Sequence, residues 1–503
     1  MARQSVLLAT EGTYPYHGGG VSTWCHTLTR TLDDIDFTLL AVTMHPYVVR
    51  RFDFGRNVQR LVTVPLWGTA DPAESRPNVS YAAFMDRRKA AASENACERF
   101  VAAHRQFVEA ALHQDRASAD RLASSIVLMH RHFAQCDYQT SFAAPQAWRS
   151  FAEIATLLWK RERPDAETPT LSELAEAWRL LFRFLIVLDV DIPRCDVTHS
   201  AAAGLCGLPC VIAKLTRGTP YLLTEHGVYL REQSLNLGRS VEAGFTRWFV
   251  MRVMAAVVDL NYMHADLVTP VCRYNTRWER WCGVEENRIR VIYNGVDPAR
   301  FPPSPLPANE RPTIVSVAQI FPLKGQLDLI EAAALVRRDV PTVIFQLYGS
   351  AADQGYFQAC NERVSALDLA GTVSFRGATS NPSRAYGDAD VVALASVSEG
   401  FPYAVIEAML SRRAIVSTDV GGVSEAIGNA GLLVPPREPA QLAAAITSLL
   451  RSATERERLA GLAHQRAAHM FSEERFVNSY RSAYGELIGC EAGRGKDVAQ
   501  PAA

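Results

Sequence analysis

The chain has 503 residues, more than one ordinary hydrophobic core accommodates, so two or more domains are expected, with the cleft between them as the natural ligand site. Hydrophobic residues make up 48% and charged residues 21%, which excludes a disordered or fibrous chain. The 52 Lys+Arg and 53 Asp+Glu residues nearly cancel to a net charge of −1, so nothing marks a dedicated nucleic-acid binder.

In chain order, short β-rich runs are predicted at 5–9, 37–42, 61–64, 197–199, 221–225 and 267–270. Between the third and fourth, over about 70–195, the pattern turns helical at 94–111, 119–133 and 171–188, the last opening on a capping box from Thr170 to Glu173. That stretch reads as a helical insertion. A proline-rich run at 301–307 reads as the domain boundary. Six further strands follow at 313–317, 343–348, 373–375, 391–395, 415–418 and 432–434, spaced by helix-length segments, which is the rhythm of a doubly wound Rossmann-like domain. Ser472 offers an N-cap for a final helix to about 487, and the small, polar tail at 491–503 is expected to be disordered. The organisation expected is α/β: an N-terminal domain over 1–300, a second over 308–471, and a terminal helix over 472–490 packing back on the first.

The ten cysteines are scattered. Cys206 and Cys210 come closest to a metal-ligand spacing but have no second pair and no His pair beside them, so no metal site is expected and reduced thiols in a cytosolic protein fit better. The first apolar stretch is too short for a signal peptide. The strongest apolar run, 180–188, is broken by Arg183 and falls short of the roughly 20 residues of a membrane span. A cytoplasmic chain that can still dock on a membrane partner is the expectation.

The segment Ser398-Glu399-Gly400-Phe401-Pro402-Tyr403-Ala404-Val405-Ile406-Glu407 carries the most chemistry. Glu399 follows a strand directly and Pro402 suits a first helical turn, so Glu399 and the amides of Gly400 and Phe401 are expected at a helix N-terminus, where an anion is welcome. Glu407 lies further along that helix and can present a carboxylate to hydroxyls. Each glutamate alone could equally be a helix-end charge; the pair with glycine between, at the carboxyl end of a Rossmann strand, favours function. Lys324, in Phe321-Pro322-Leu323-Lys324-Gly325, follows the first strand of this domain. In the first domain, Gly18-Gly19-Gly20 precedes a helical pattern and permits close approach of a sugar or phosphate, or makes only a tight turn. Glu11 stands just before it, either facing the cleft or capping the turn. His199 and His226 both follow strand ends, where histidines are often structural but where ligands of open α/β sheets also gather.

The Glu399/Glu407 pair, Val291-Ile292-Tyr293-Asn294-Gly295-Val296-Asp297, and Thr418-Asp419-Val420-Gly421-Gly422-Val423-Ser424-Glu425 together resemble retaining GT-B glycosyltransferases of family 4 from about residue 265 onward. Glu11 to Trp24 and Leu223-Thr224-Glu225-His226-Gly227-Val228-Tyr229, with the helical insertion, resemble the Pel-type (PelF-like) exopolysaccharide glycosyltransferases, which extends the similarity over nearly the whole chain. The resemblance implies two Rossmann-like domains facing a cleft. It implies transfer of a hexose from a nucleotide sugar, UDP-linked, to a saccharide acceptor, without a metal or other cofactor, and a membrane-embedded synthesis and export complex as partner. It implies that Glu399 and the amides after it hold the donor sugar, that Lys324 neutralises the diphosphate, and that Glu407 binds the ribose. Gly19 and Gly20 would border the donor, Arg376 the nucleobase unless it is only a surface arginine, and His199 the transferring sugar; His226 and Glu11 are further candidates at the same strand ends. Such a reaction needs no protein nucleophile, because the leaving phosphate can take the acceptor's proton. Gln319 departs from the family pattern: an arginine is usual there, and glutamine can hydrogen-bond a phosphate but adds no charge. That departure makes a nucleotide-sugar-binding subunit without turnover one alternative; a family-4 synthase acting on a small acceptor is the other. A nicotinamide enzyme is disfavoured, since no Gly-x-Gly-x-x-Gly follows the first strand of either half.

Overall fold

The computed structural model describes residues 3–68, 79–113, 118–240, 244–305, 307 and 309–497. These divide into two compact units. Unit 1 comprises Met1–Thr269, Trp278–Arg290 and Arg481–Ala503, and unit 2 comprises Pro270–Arg277 and Val291–Tyr480.

Unit 1 is built on strands β1 (Gln4–Glu11), β2 (Ile35–Thr43), β3 (Val58–Pro65), β4 (Val197–Ser200), β5 (Tyr221–Glu225) and β6 (Leu267–Pro270) in the order β3-β2-β1-β4-β5-β6. Unit 2 repeats the pattern with β7 (Thr313–Val317), β8 (Ile344–Tyr348), β9 (Val373–Gly377), β10 (Val391–Leu394), β11 (Ala414–Thr418) and β12 (Leu432–Val434), ordered β12-β11-β10-β7-β8-β9 and parallel throughout. The central strands β4, β5, β10 and β11 are buried at every position. Helices cover both faces of such sheets, so a continuous run such as Val391-Val392-Ala393-Leu394, rather than an alternating one, makes the strand. In each unit the chain winds outward from the first strand, then returns to lay the fourth strand on its other side. The strand order therefore reverses between β1 and β4 and between β7 and β10, and at such a point the following loops diverge and leave a crevice.

The insertion between β3 and β4 begins, among the described residues, with the helix Tyr81–Ala91 and runs through Glu94–His113, Ser118–Phe133, Tyr138–Phe142, Pro145–Glu162 and Leu171–Phe184. The Thr170–Glu173 capping box is formed in full. Phe100, Phe107, Phe133, Phe142 and Phe151 are buried at its centre and are continuous with the core of the unit 1 sheet, so the insertion shares that core.

The units part at Thr269/Pro270 and again at Arg290/Val291, not in the proline-rich run. The Asn294 side-chain amide donates to the Phe401 carbonyl at 2.8 Å, and the Val296 amide donates to the Phe471 carbonyl at 2.9 Å, which fixes this stretch to unit 2. The prolines are held there too: the buried Arg413 guanidinium donates to the Ser304 carbonyl at 3.1 Å, the Ser304 hydroxyl at 2.6 Å and the Pro305 carbonyl at 3.0 Å. Proline content marks an irregular backbone, and here that backbone is anchored. The last helix, Glu473–Asp497, belongs to unit 2 through Tyr480 and to unit 1 beyond it. Within unit 1 its Arg481 pairs with Asp34 at 3.1 Å and its Glu486 with Arg290 at 2.7 Å. It runs past the point where a disordered tail was expected; residues 498–503 lie outside the described residues.

His104 sits fully buried against Phe100, Phe142 and Trp178, and neither ring nitrogen has a partner among the described residues. Burial pushes its pKa down to about 3. A depressed histidine means that the unfolded chain takes up a proton below pH 6.5 that the folded one refuses, so stability is complete above that value and falls as pH drops toward 3. His104→Phe is expected to raise stability at pH 5 and to flatten the acid slope by about 1.4 kcal/mol per pH unit. Denaturant midpoints of the two proteins between pH 4 and 8 check this.

Candidate active site

In unit 2 the loops after β7 and β10 meet at the reversal point. Gly325 adopts φ +63°, and a Cβ there would lie 2.0 Å from the Ala395 carbonyl oxygen, so only glycine lets the first loop touch the second. The Val397 amide donates to the Leu323 carbonyl at 2.8 Å and fastens them. Lys324 Nζ then lies 2.7 and 2.8 Å from the two carboxylate oxygens of Glu399. The Ser396 hydroxyl donates to Glu399 Oε1 at 2.6 Å, and the Thr418 hydroxyl donates to the Ser396 carbonyl at 2.6 Å. Glu399 is nearly enclosed, with 8% of its side chain exposed against 29% for Lys324, so the ammonium is the open side of the pair.

The turn that carries Glu399 is supported from beneath by Gly421 and Gly422. At Gly421, φ is +59° and a Cβ would fall 1.8 Å from the Glu399 carbonyl oxygen. The Gly422 amide donates to the Gly400 carbonyl at 2.8 Å. Pro402 takes the N-cap position of the helix Tyr403–Leu410, one residue earlier than the first-turn place expected, and no side chain caps this end. Phe401 is buried, its ring packed on Tyr293 and Phe471, so only its backbone can serve a ligand. Glu407, on the same helix, accepts from the buried Tyr386 hydroxyl at 2.9 Å; burial lifts its pKa, with Tyr386 and then Arg300 opposing the rise.

Gln319 is exposed on the loop after β7, and its carbonyl accepts from Gln326 Nε2 at 2.8 Å. Gly349, at φ +154°, backs this loop: a Cβ there would lie 1.9 Å from the Ala318 carbonyl oxygen. Arg376 is exposed at the end of β9 and lines a recess of about 410 Å³ with Tyr348, Phe375, Thr379 and Ser380. Unit 2 thus gathers a cation, an enclosed carboxylate, an uncapped helix start and a second, tyrosine-held carboxylate on the loops and helix at the carboxyl ends of its strands. That arrangement can neutralise an anion and accept hydroxyl protons beside it.

In unit 1 the reversal point holds Glu11. It accepts from the Tyr229 hydroxyl at 2.6 Å and the Cys206 amide at 3.2 Å, and burial raises its pKa despite both bonds. Gly204 makes this possible, since a Cβ there would lie 2.6 Å from both Glu11 Oε2 and the Tyr229 ring. Gly18, Gly19 and Gly20 are exposed, Gly19 at φ +149° starting the helix Gly20–Thr31 with no side-chain cap. His199 is fully buried: its Nδ1 meets the Tyr484 hydroxyl at 2.6 Å and its Nε2 the Thr224 hydroxyl at 2.8 Å, with Trp24 edge-on at 5.3 Å. Both ring nitrogens are engaged inside the unit, so the ring presents no atom to a ligand in this conformation. His226 stands closer to the surface with its ring 4.8 Å from that of Trp24, and burial pushes its pKa down to about 3. It is neutral near pH 7 and can hydrogen-bond without carrying charge.

Sequence reasoning did not single out Tyr386, Ser396, Thr418, Tyr229 or the buried carboxylates Glu225 and Glu279. Glu225 accepts from the Ala203 amide at 2.6 Å, and burial with the nearby Glu279 pushes its pKa to about 8. Burial lifts Glu279 to about 7, and its Oε2 has no partner among the described residues. The run Thr224-Glu225-His226 held a signal for Glu225; nothing local marks Tyr386 or Glu279. Among the described residues, no group of three or more His, Cys, Asp or Glu forms a metal cluster, and no helix is long and apolar enough to cross a membrane.

The family described as "Domain of unknown function (DUF3492)" matches residues 4–287, and "Glycosyl transferases group 1" matches residues 311–452. D-inositol 3-phosphate glycosyltransferase of Rhodococcus opacus (strain B4) is 34% identical over 284 residues, 47% of this chain and 63% of that protein. The protein of the same name from Nocardia farcinica (strain IFM 10152) is 33% identical over 236 residues, 42% of this chain and 51% of its own length. The chain therefore spans about half to two thirds of these relatives. Among solved structures, sucrose-phosphate synthase from Thermosynechococcus elongatus superposes with a TM-score of 0.60 at 16% identity, covering 97% of this chain and 100% of that one. Anabaena HepE, solved in complex with UDP, gives 0.58 at 16% identity over 96% and 100%. These likenesses establish the GT-B fold.

Gly421→Ala places a methyl group against the carbonyl of the residue that pairs with Lys324. It is expected to destabilise unit 2 by about 1–3 kcal/mol, and thermal unfolding against the wild type checks it.

Proposed function

We propose that this chain, which belongs to the DUF3492 family and continues into a group 1 glycosyl transferase module, is a glycosyltransferase that moves a hexose from a UDP-linked sugar to a saccharide acceptor. The observation that carries the reading is the Lys324–Glu399 pair at the strand-order reversal of unit 2, with Glu407 on the helix that follows. HepE, whose fold this chain shares, was solved with UDP, which favours a uridine donor.

The chemistry follows from the side chains. As the bond from the anomeric carbon to the β-phosphate oxygen breaks, negative charge grows on the diphosphate, and a cation beside it stabilises the transition state more than the ground state. Lys324 is that cation. It must leave Glu399 to reach the phosphate, which frees the Glu399 carboxylate to accept from hydroxyls of the donor hexose. Glu407, fixed by Tyr386, accepts from the ribose hydroxyls. The acceptor oxygen forms the new bond to the anomeric carbon, and its proton passes to the departing phosphate on the same face, so the anomeric configuration is retained. Lys324 and the backbone amides supply the charge stabilisation, and no metal enters this scheme. In unit 1, Gly19 and Gly20 border the donor, Glu11 and His226 stand at the same carboxyl edge of the sheet, and His199 acts by fixing Thr224 and Tyr484. On the Pel-type reading the acceptor is a growing exopolysaccharide, the partner a membrane-embedded export complex and the location the cytoplasmic face of the membrane. The relatives that glycosylate D-inositol 3-phosphate keep a small acceptor in view.

Gln319 favours a second reading, a subunit that binds a nucleotide sugar without turning it over, because an exposed amide adds no charge at the phosphate. Release of free UDP from a panel of UDP-, GDP- and ADP-sugars, with and without saccharide acceptors, separates the two. The transferase reading expects release from one UDP-sugar, a loss of tenfold or more in Glu407→Ala, roughly 1.4 kcal/mol or more of transition-state stabilisation, and a gain in Gln319→Arg. Silence of the wild type with every donor and acceptor, with turnover appearing only in Gln319→Arg, would establish the binding subunit instead.

A further inference from the structure

Unit 1 holds a cavity of about 580 Å³ that the scheme above does not use. Its walls come from the insertion, through Ala110 and Leu122, and from the helix Phe245–His264, through Ala256 and Leu260. That helix leads straight into β6, so the cavity lies toward the amino edge of the strand, whereas Glu11, Gly18–Gly20 and His226 follow the carboxyl ends of theirs. It is a second place on the unit.

At the rim stands Trp281, 73% exposed. A tryptophan left this open is uncommon and is held in place: its ring lies 6.3 Å from Trp278 at 84°, and the turn after it passes through Gly283 at φ +83°, a conformation that favours glycine. Two carboxylates, Asp259 and Glu285, line the cavity, and neither has a hydrogen-bond or ion-pair partner among the described residues. Among the described residues the guanidinium lining it is that of Arg288, whose Nη1 is held by the carbonyls of Tyr262, Met263 and Ala265 at 3.1, 3.2 and 2.8 Å and forms no ion pair with either carboxylate. Both acidic residues are exposed at the mouth of the recess, open to a ligand, and the neighbouring apolar walls raise the pKa of Asp259.

A flat, apolar indole beside acceptor-only carboxylates, over an apolar floor, selects a ligand with an apolar face and a rim of hydrogen-bond donors. A pyranose has that shape: C–H groups on its faces and hydroxyls around its edge. Two carboxylates against one guanidinium leave the lining acidic on balance, which disfavours phosphates and fatty carboxylates, and a bare acyl chain would make no use of the carboxylate acceptors. We propose that this cavity is a saccharide-binding site, in which a neutral sugar lays its C–H face on Trp281 and donates its hydroxyls to Asp259 and Glu285. The inference does not require the transferase reading. In a transferase, such a site would hold one part of a glycan chain while another is extended.

The test is binding of neutral oligosaccharides (maltoheptaose, cellohexaose and chitohexaose) to the full chain, by calorimetry and by tryptophan fluorescence, with UDP titrated in parallel. At least one glycan is expected to bind, with its Kd raised about tenfold in Trp281→Ala and raised also in Asp259→Asn, while UDP affinity is unchanged in both variants. Trp281 is exposed enough that its loss leaves the fold intact, and thermal melts of both variants confirm that. Absence of binding to every glycan, binding that neither variant weakens, or binding of dodecylphosphocholine in their place would overturn the proposal, and the UDP titration shows separately whether the unit 2 site stands.

Discussion

Unit 2 is organised around one ion pair. Lys324 and Glu399 belong to loops that leave neighbouring strands, β7 and β10, toward opposite faces of the sheet, and they meet because the strand order reverses between those strands. The surrounding glycines are constrained by that meeting: Gly325 lets the first loop touch Ala395, and Gly421 lets the chain pass under Glu399. The pair is internally satisfied, with Ser396 completing the Glu399 side. At an effective dielectric constant near 20, two unit charges about 4 Å apart attract by about 4 kcal/mol, and closer contact is stronger. A ligand entering here must therefore bring an anion within reach of Lys324 that competes with the Glu399 carboxylate.

Unit 1 repeats the topology with the opposite electrostatics. Where unit 2 pairs charges, unit 1 suppresses them: burial raises Glu11 and holds Glu225 near 8, while His226 is driven to about 3 and His199 well below its usual value. Burial thus disfavours the charged form of each of these groups at the carboxyl edge of this sheet. His199 shows how the last helix contributes, since Tyr484 supplies one of the two hydroxyls that fix its ring. The insertion adds to this unit a shared aromatic core and one wall of the Trp281 cavity.

Much of the architecture was legible in the sequence because parallel strands buried on both faces write themselves as unbroken apolar runs, as in Val391-Val392-Ala393-Leu394. The Thr170–Glu173 capping box was legible for the same local reason. Glu399 and Glu407 stood out through their places after a strand and along one helix, and Lys324 through the family resemblance together with its place after β7. What remained hidden depends on strand order. Tyr386 reaches Glu407 from the short helix Pro382–Gly387, Thr418 reaches Ser396 from the neighbouring strand, and Glu279 approaches Glu225 from a segment beyond β6. His199 looked like a ligand-facing residue because strand ends usually are; the hydroxyls of Thr224 and Tyr484 that occupy it lie 25 and 285 positions away. The proline run misled for a related reason: Arg413 anchors it across 109 residues of sequence.

On the proposed function, Lys324 recognises the second phosphate of a nucleoside diphosphate. Calorimetric titration of UDP and UMP into the wild type and Lys324→Met tests it most directly, since the two ligands differ only in that phosphate. The wild type is expected to prefer UDP by tenfold or more, about 1.4 kcal/mol, and the variant to bind both alike with UMP affinity little changed. Equal binding of UDP and UMP by the wild type, or a preference that survives in Lys324→Met, would contradict it.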